Sequence, residues 1–235
     1  MRLLTPVFVA TNGREAVVPP QGLETGVLLR DLDLMTLIAA AGTASTTLAV
    51  DLDSVEGLNA DATAARFLAV ELGVDVVITR RPAVASRVAA LGRIALLHVF
   101  AFDSTGLARS LEGHPREPGI GTVLSPGPVL DHLPVAEVER LPRPLMAYGF
   151  VETADRAWAL LECADSVVVR PACALEMALD KRLRGGEKAV SPSSGTMTRT
   201  GPAPVLYRGG FCFRRAGSQP EEAPLHGPQD RPATA

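Results

Sequence analysis

Eight near-continuous apolar runs, each followed by a segment with helix-starting chemistry, predict a single α/β domain of the TIM-barrel type, a (β/α)8 fold. Strands covered on both faces read as unbroken Val, Ile and Leu rather than as strict alternation, and that is the pattern here. The 235-residue chain is 47% hydrophobic, enough for one substantial core, and α/β barrels of about 200–250 residues commonly form one domain. A doubly wound open sheet is the alternative, because strand count alone does not show closure.

The runs fall at 6–10, 26–30, 48–52, 75–79, 94–102, 121–125, 144–148 and 166–170. Asp31 or Asp33 is placed to cap a helix over 32–41, and Asn59 or Asp61 one over 62–72. Pro82 suits the first turn of 82–91, Ser104 would cap 105–112, and Thr153 would cap 154–163. Gly73 and Gly92 stand where two of these helices should stop. The first connection contains Pro19 and Pro20, so any helix there must be very short. "SPGP" and "PRP" read first as turn chemistry. The barrel pattern spans 1–183, and 184–235 reads as a Pro/Gly/Ser-rich, mostly disordered tail. One island in that tail, 205–215, could form a short strand pair.

Charge is divided unevenly. Residues 1–180 carry 14 Lys and Arg against 22 Asp and Glu, whereas residues 181–235 carry 9 against 4. An acidic body with a basic tail is not the broad positive face of a strong nonspecific nucleic-acid binder. Cys163, Cys173 and Cys212 form no CxxC pair, which argues against a zinc ribbon or disulfide framework and suits a reducing cytosol. Pro6 interrupts the opening apolar stretch, and no run approaches the ~18 residues of a membrane span. A cytoplasmic protein is expected.

In such a barrel the chemistry comes from the carboxyl ends of the strands. "VDLDSVEGLNAD" (50–61) places Asp51, Asp53 and Glu56 at one of them. The series is too short for a calcium loop. Asp51 and Asp53 would face opposite sides if both lay in the strand, so they do not read as a catalytic pair. Other mouth positions are Arg30 and Asp31; Thr79, Arg80 and Arg81; His98, Asp103 and Ser104; Gly127; Gly149; and Arg170. Mixed Arg, Thr and carboxylate suits a small anionic ligand bearing hydroxyls. His98, within an apolar strand, reads first as a hydrogen-bonded core histidine, and His114 and His132 as surface residues. There is no Walker loop, Rossmann fingerprint, H-E-x-x-H or G-x-S-x-G.

Several segments together resemble the glycerol-3-phosphate-responsive antiterminators. "VDLDSVEGLNADATAARFLAVELGVDVVITRRPAV" is similar to that family's D-L-[IV]-x-G-L-x-x-D, helix, G-I-I-[ST]-T-[RK]. "HVFAFDSTGLARSL", "VLSPGPVLDHL" and "PLMAYGFVETADRAWALLECADSVVVRPACALEMAL" resemble its later motifs, in order, over about residues 5–180. The resemblance implies a barrel that senses glycerol 3-phosphate without a cofactor and binds leader mRNA to prevent premature termination. It also implies a ligand at the mouth: phosphate near Gly149 and Arg170, hydroxyls facing Asp51 and Glu56, and Thr79, Arg80 and Asp103 around the ring. Four departures stand out. Tyr148-Gly149 replaces the family's Gly-Gly, Val168-Val169-Arg170 its Ser-Thr-Ser, His98 an Arg, and Val123 a carboxylate. Two other readings compete: a barrel lyase or isomerase for a phosphorylated metabolite with His98 or Asp51 as base, and a barrel that only binds a metabolite or protein.

Overall fold

The computed structural model describes residues 4–14 and 20–186. Eight strands occupy the expected runs, displaced by at most two residues: β1 (Val7–Thr11), β2 (Thr25–Leu29), β3 (Leu48–Asp51), β4 (Val76–Thr79), β5 (Ile94–Phe100), β6 (Ile120–Ser125), β7 (Leu145–Ala147) and β8 (Ser166–Val169). All pair in parallel in chain order, and β8 pairs with β1 through Val167 opposite Val7, which closes the barrel. The open-sheet alternative is thereby excluded.

Closure explains why the strands are apolar on both faces. Phe8, Leu28, Ala49, Ile78, Leu96, Val123, Met146 and Val168 fill the barrel interior. Outward-facing neighbours such as Val9, Leu124, Ala147 and Val167 form one core beneath the helices, and Val50, Val77 and Leu97 form another. The interior is tight enough to dictate sequence. A Cβ on Gly26 would lie 2.6 Å from the Phe8 ring, and one on Gly121 would lie 2.1 Å from the Pro144 carbonyl.

The helices follow from their caps. Asp33 caps α1 (Leu34–Thr43) by accepting from the Thr36 amide and hydroxyl. Asp61 caps α2 (Ala62–Arg66), which loosens into a π turn over Phe67–Glu71 before Gly73 at φ +67°. α3 (Pro82–Ala90) begins on its proline. The cap of α4 (Ser104–Glu112) is Asp103, not Ser104: the carboxylate accepts from the Gly106 amide at 2.6 Å, and Ser104 is the first helical residue. Between β6 and β7, where the prolines predict turns, a 3-10 segment (Gly127–Asp131) and α5 (Val135–Arg140) form, the helix starting directly after Pro134. α6 (Ala154–Leu160) is capped by Thr153, and α7 (Pro171–Gly186) packs against α6 and β1.

Residues 15–19, the tail beyond 186, the 205–215 island and Cys212 lie outside the described residues. The described flanks of the first connection contain no helix. Cys173 is a buried free thiol, and no described helix is long and apolar enough to cross a membrane. One surface expectation fails. His114 is 4% exposed, with Nδ1 2.9 Å from the Pro115 carbonyl and Nε2 3.1 Å from that of Gly121. The loop before β6 tucks under the barrel, so a polar-looking connection delivers a buried imidazole. His132 is exposed, as expected.

Candidate functional site at the barrel mouth

At the carboxyl end of β2 the chain turns sharply through Asp31 at φ +52°, a left-handed conformation rarely adopted by residues other than glycine. The turn is held by a relay: the Asp31 amide donates to Ser54 Oγ, and Ser54 Oγ donates to the Asp51 carbonyl. Arg30 Nε donates to the Asp31 carboxylate at 2.7 Å, and its guanidinium lies 5.2 Å from the centre of the Tyr148 ring.

β3 ends at Asp51, and Leu52–Ser54 form a 3-10 turn. The condition for Asp51 and Asp53 to face opposite sides, that both lie in the strand, is therefore not met. Strand alternation stops before Asp53, so both carboxylates line one cavity of about 250 Å³. Asp53 accepts from the Arg80 amide at 2.5 Å and pairs with the Arg80 and Arg81 guanidiniums at 3.7 and 3.8 Å. Arg80, His98, Phe100 and Tyr148 complete the wall with Arg30, Asp31 and Ser54.

Burial and neighbouring charge set the protonation states. Burial, reinforced by the Asp53 charge, raises the Asp51 carboxyl to about 6, so this group accepts when ionised and becomes a donor as pH falls below that value. Burial, with Arg80 nearby, lowers His98 to about 4 and keeps the imidazole neutral. Burial likewise pushes the Tyr148 phenol up to about 12. His98 is not the hydrogen-bonded core histidine expected. Its Nε2 is buried with no hydrogen-bond partner among the described residues, while its ring stacks on Phe100 at 4.2 Å and meets Tyr148 edge-on at 5.4 Å.

Among the mouth positions read from the sequence, Arg30, Asp31, Asp51, Asp53, Arg80 and His98 converge on this cavity. Glu56, Thr79, Asp103, Gly127, Gly149 and Arg170 lie outside its wall. Thr79 is fully buried and accepts from the Arg81 amide. Glu56 is exposed on a two-residue bridge between Leu32–Asp33 and Val55–Glu56. Asp103 caps α4. The Gly127 amide is already engaged, donating to the Tyr148 and Gly149 carbonyls. Gly149 turns the chain after β7 at φ +79°, and Arg170 pairs with Glu152 at 3.0 Å, both largely exposed. Arg30 and Asp53 were legible as strand-end positions. Phe100, two residues after His98 on the same strand face, and Tyr148, standing where the resemblance has a glycine, carry signals that the cavity alone makes meaningful.

The family model described as "Glycerol-3-phosphate responsive antiterminator" matches residues 23–170. The chain belongs to this family. The matched span runs from just before β2 to just after β8 and includes every cavity residue. Among solved structures, a glycerol uptake operon antiterminator regulatory protein from Listeria monocytogenes str. 4b F2365 aligns with TM-score 0.58 and 19% identity, covering 70% of this chain and 91% of that one. A glycerol uptake operon antiterminator-related protein from Thermotoga maritima MSB8 aligns with TM-score 0.58 and 22% identity, covering 72% and 98%. At these identities the likeness establishes a shared fold. A comparison with curated proteins gives no match. As a member of the antiterminator family the chain is a regulator. Among the described residues no group of three or more His, Cys, Asp or Glu could hold a metal ion.

Proposed function

We propose that this antiterminator senses glycerol 3-phosphate in the mouth cavity and acts in the cytoplasm on a leader mRNA. The observation that carries the reading is the unpartnered His98 Nε2, buried in a wall where guanidinium and carboxylate groups alternate. A buried polar atom without a partner is destabilising, so a ligand hydroxyl that satisfies it is favoured. Arg30 and Arg80 would meet the phosphate, since guanidinium suits its oxygens in bidentate geometry. Asp53 would accept from a glycerol hydroxyl, and Asp51 would accept or donate according to its protonation.

Gly149 and Arg170 offer a second phosphate grip. The exposed Arg170–Glu152 pair is worth only about 0–1 kcal/mol, so a phosphate could displace Glu152. The cavity favours Arg30 and Arg80, because they share a wall with the carboxylates that would hold the other end of so small a molecule.

Sensing requires two states of the mouth with different affinity for the ligand. The Asp31–Ser54–Asp51 relay is the natural element to differ, because it joins the turns after β2 and β3 across the cavity. Filter binding to the leader RNA of a glycerol-utilisation transcript, with and without glycerol 3-phosphate, tests the reading. Ligand-enhanced retention is expected, and no retention at low salt in either condition would overturn it.

A further inference from the structure

A ladder of aromatic rings leaves the cavity and ends in solvent. His98 stacks on Phe100 at 4.2 Å, and Phe100 stacks on Phe102 at 5.7 Å with the rings only 2° from parallel. Exposure rises along it: Phe100 is 37% exposed and Phe102 83%. An exposed phenylalanine forgoes about 1.5–3 kcal/mol of burial, so the fold does not account for Phe102 in that position. Nearby, Phe150 is 77% exposed and held at φ +59° in the loop after β7. The whole chain has ten aromatic residues, and four of them (Phe100, Phe102, Tyr148 and Phe150) are at this mouth.

We propose that Phe100 and Phe102 form a stacking platform for the bases of single-stranded RNA. The inference rests on the antiterminator reading above and assigns it a contact surface. Flat, parallel rings with an open outer face accept any unpaired base, and such stacking contributes about 1–3 kcal/mol per base. A duplex hides those faces, so the platform selects unpaired segments. Charge favours the same occupant. Arg80 and Arg81 are more than half exposed beside the cavity and the Asp53 carboxylate they share is 7% exposed, so both guanidiniums can reach a phosphate, although exposed Asp31 and Asp103 stand on the same rim. The rest of the body is acidic, which leaves room for few phosphate contacts and gives stacking most of the affinity.

The platform is also joined to the sensor. His98 belongs to the cavity wall and to the ladder, so a ligand that fixes its ring also fixes the innermost step of the stack. Any resulting coupling is reciprocal: RNA on the platform tightens the effector as much as the effector tightens RNA.

The test uses the full chain and a fluorescein-labelled, mixed-sequence single-stranded RNA 20-mer, with its duplex as control, read by anisotropy with glycerol 3-phosphate present. Phe102→Ala, whose side chain lies outside the cavity wall, should bind the single strand about 5- to 100-fold more weakly, as expected for one lost stack. Phe102→Trp should restore binding, and circular dichroism should show both variants folded. Wild-type affinity should fall only shallowly with salt, as for one or two phosphates (slope about −0.7 to −1.4). Wild-type binding with Phe102→Ala unchanged within twofold, or equal binding of the duplex, would overturn the platform and leave the antiterminator reading intact. Absence of wild-type binding to both this strand and leader RNA would overturn the reading itself, and the platform with it.

Discussion

The two ends of the barrel treat polar groups in opposite ways. At the amino-terminal end most of the buried or half-buried polar groups are tied to backbone, Thr25 Oγ1 being an exception without a partner among the described residues. Asp165 accepts from the Leu145 amide at 2.7 Å, Asp75 from the Leu48 amide, Ser166 donates to the Thr5 carbonyl, and both His114 nitrogens meet carbonyls. At the carboxyl end His98 Nε2 has no partner among the described residues, Asp51 is held near a pKa of about 6, and Asp31 and Phe150 sit at positive φ. One end joins the strands and the other holds groups in states that suit a ligand better than the fold. Backbone strain gathers at the mouth, where Asp31 and Phe150 are the only non-glycine residues at positive φ among the described residues.

Substitutions at the lower end should therefore be felt as lost stability. Gly121→Ala is the most severe, because its methyl would meet the Pro144 carbonyl at 2.1 Å; a loss of about 3 kcal/mol or more, or failure to fold, is expected in thermal melts. Asp165→Ala should destabilise by about 1–3 kcal/mol, since it leaves the Leu145 amide without its acceptor. A melting temperature unchanged by either substitution would break the contrast between the two ends.

At the mouth the sign should reverse. The Asp51 pKa is raised on folding, so its stabilising contribution is complete below the unfolded value near 4 and is lost as pH rises through about 6. Asp51→Asn should thus be more stable than wild type at pH 8, by up to about 3 kcal/mol on linkage grounds, while its affinity for glycerol 3-phosphate falls. The His98 pKa is lowered from 6.5 to about 4, so its contribution is present above 6.5 and is lost as pH falls toward 4. Across this window the two groups oppose one another. Chemical denaturation between pH 4 and 6.5 should show stability falling more steeply on acidification in Asp51→Asn and less steeply in His98→Phe than in wild type. Matching slopes in all three would show that the cavity does not perturb these groups. The smallest effect is expected at Phe102, where Ala should change stability by less than about 0.5 kcal/mol, as for an exposed side chain.

The barrel was legible because burial on both faces leaves unbroken apolar runs, and Asp33, Asp61 and Thr153 cap where a side chain that accepts from the first turn should stand. Asp51, Arg80 and His98 were legible for a related reason: once strand ends are known, mouth positions follow. Asp53 lies beyond the strand in a 3-10 turn, so strand alternation carried no information about which way its carboxylate faces. Burial of His114 depends on where a loop lies after the barrel closes, which local sequence does not encode. The ring ladder needed both β5 register and the path of the chain beyond it, so a composition of only 4% aromatics concealed how closely those rings gather.

The claim that the effector's phosphate is held by the cavity wall is tested most directly by calorimetric titration of glycerol 3-phosphate into wild type, Arg80→Ala and Arg170→Ala. Loss of a charge-assisted contact worth about 1.5–3 kcal/mol predicts at least tenfold weaker binding for Arg80→Ala and little change for Arg170→Ala. The opposite ranking, with Arg80→Ala at wild-type affinity and Arg170→Ala weakened, would place the phosphate beside Gly149 and contradict the cavity assignment.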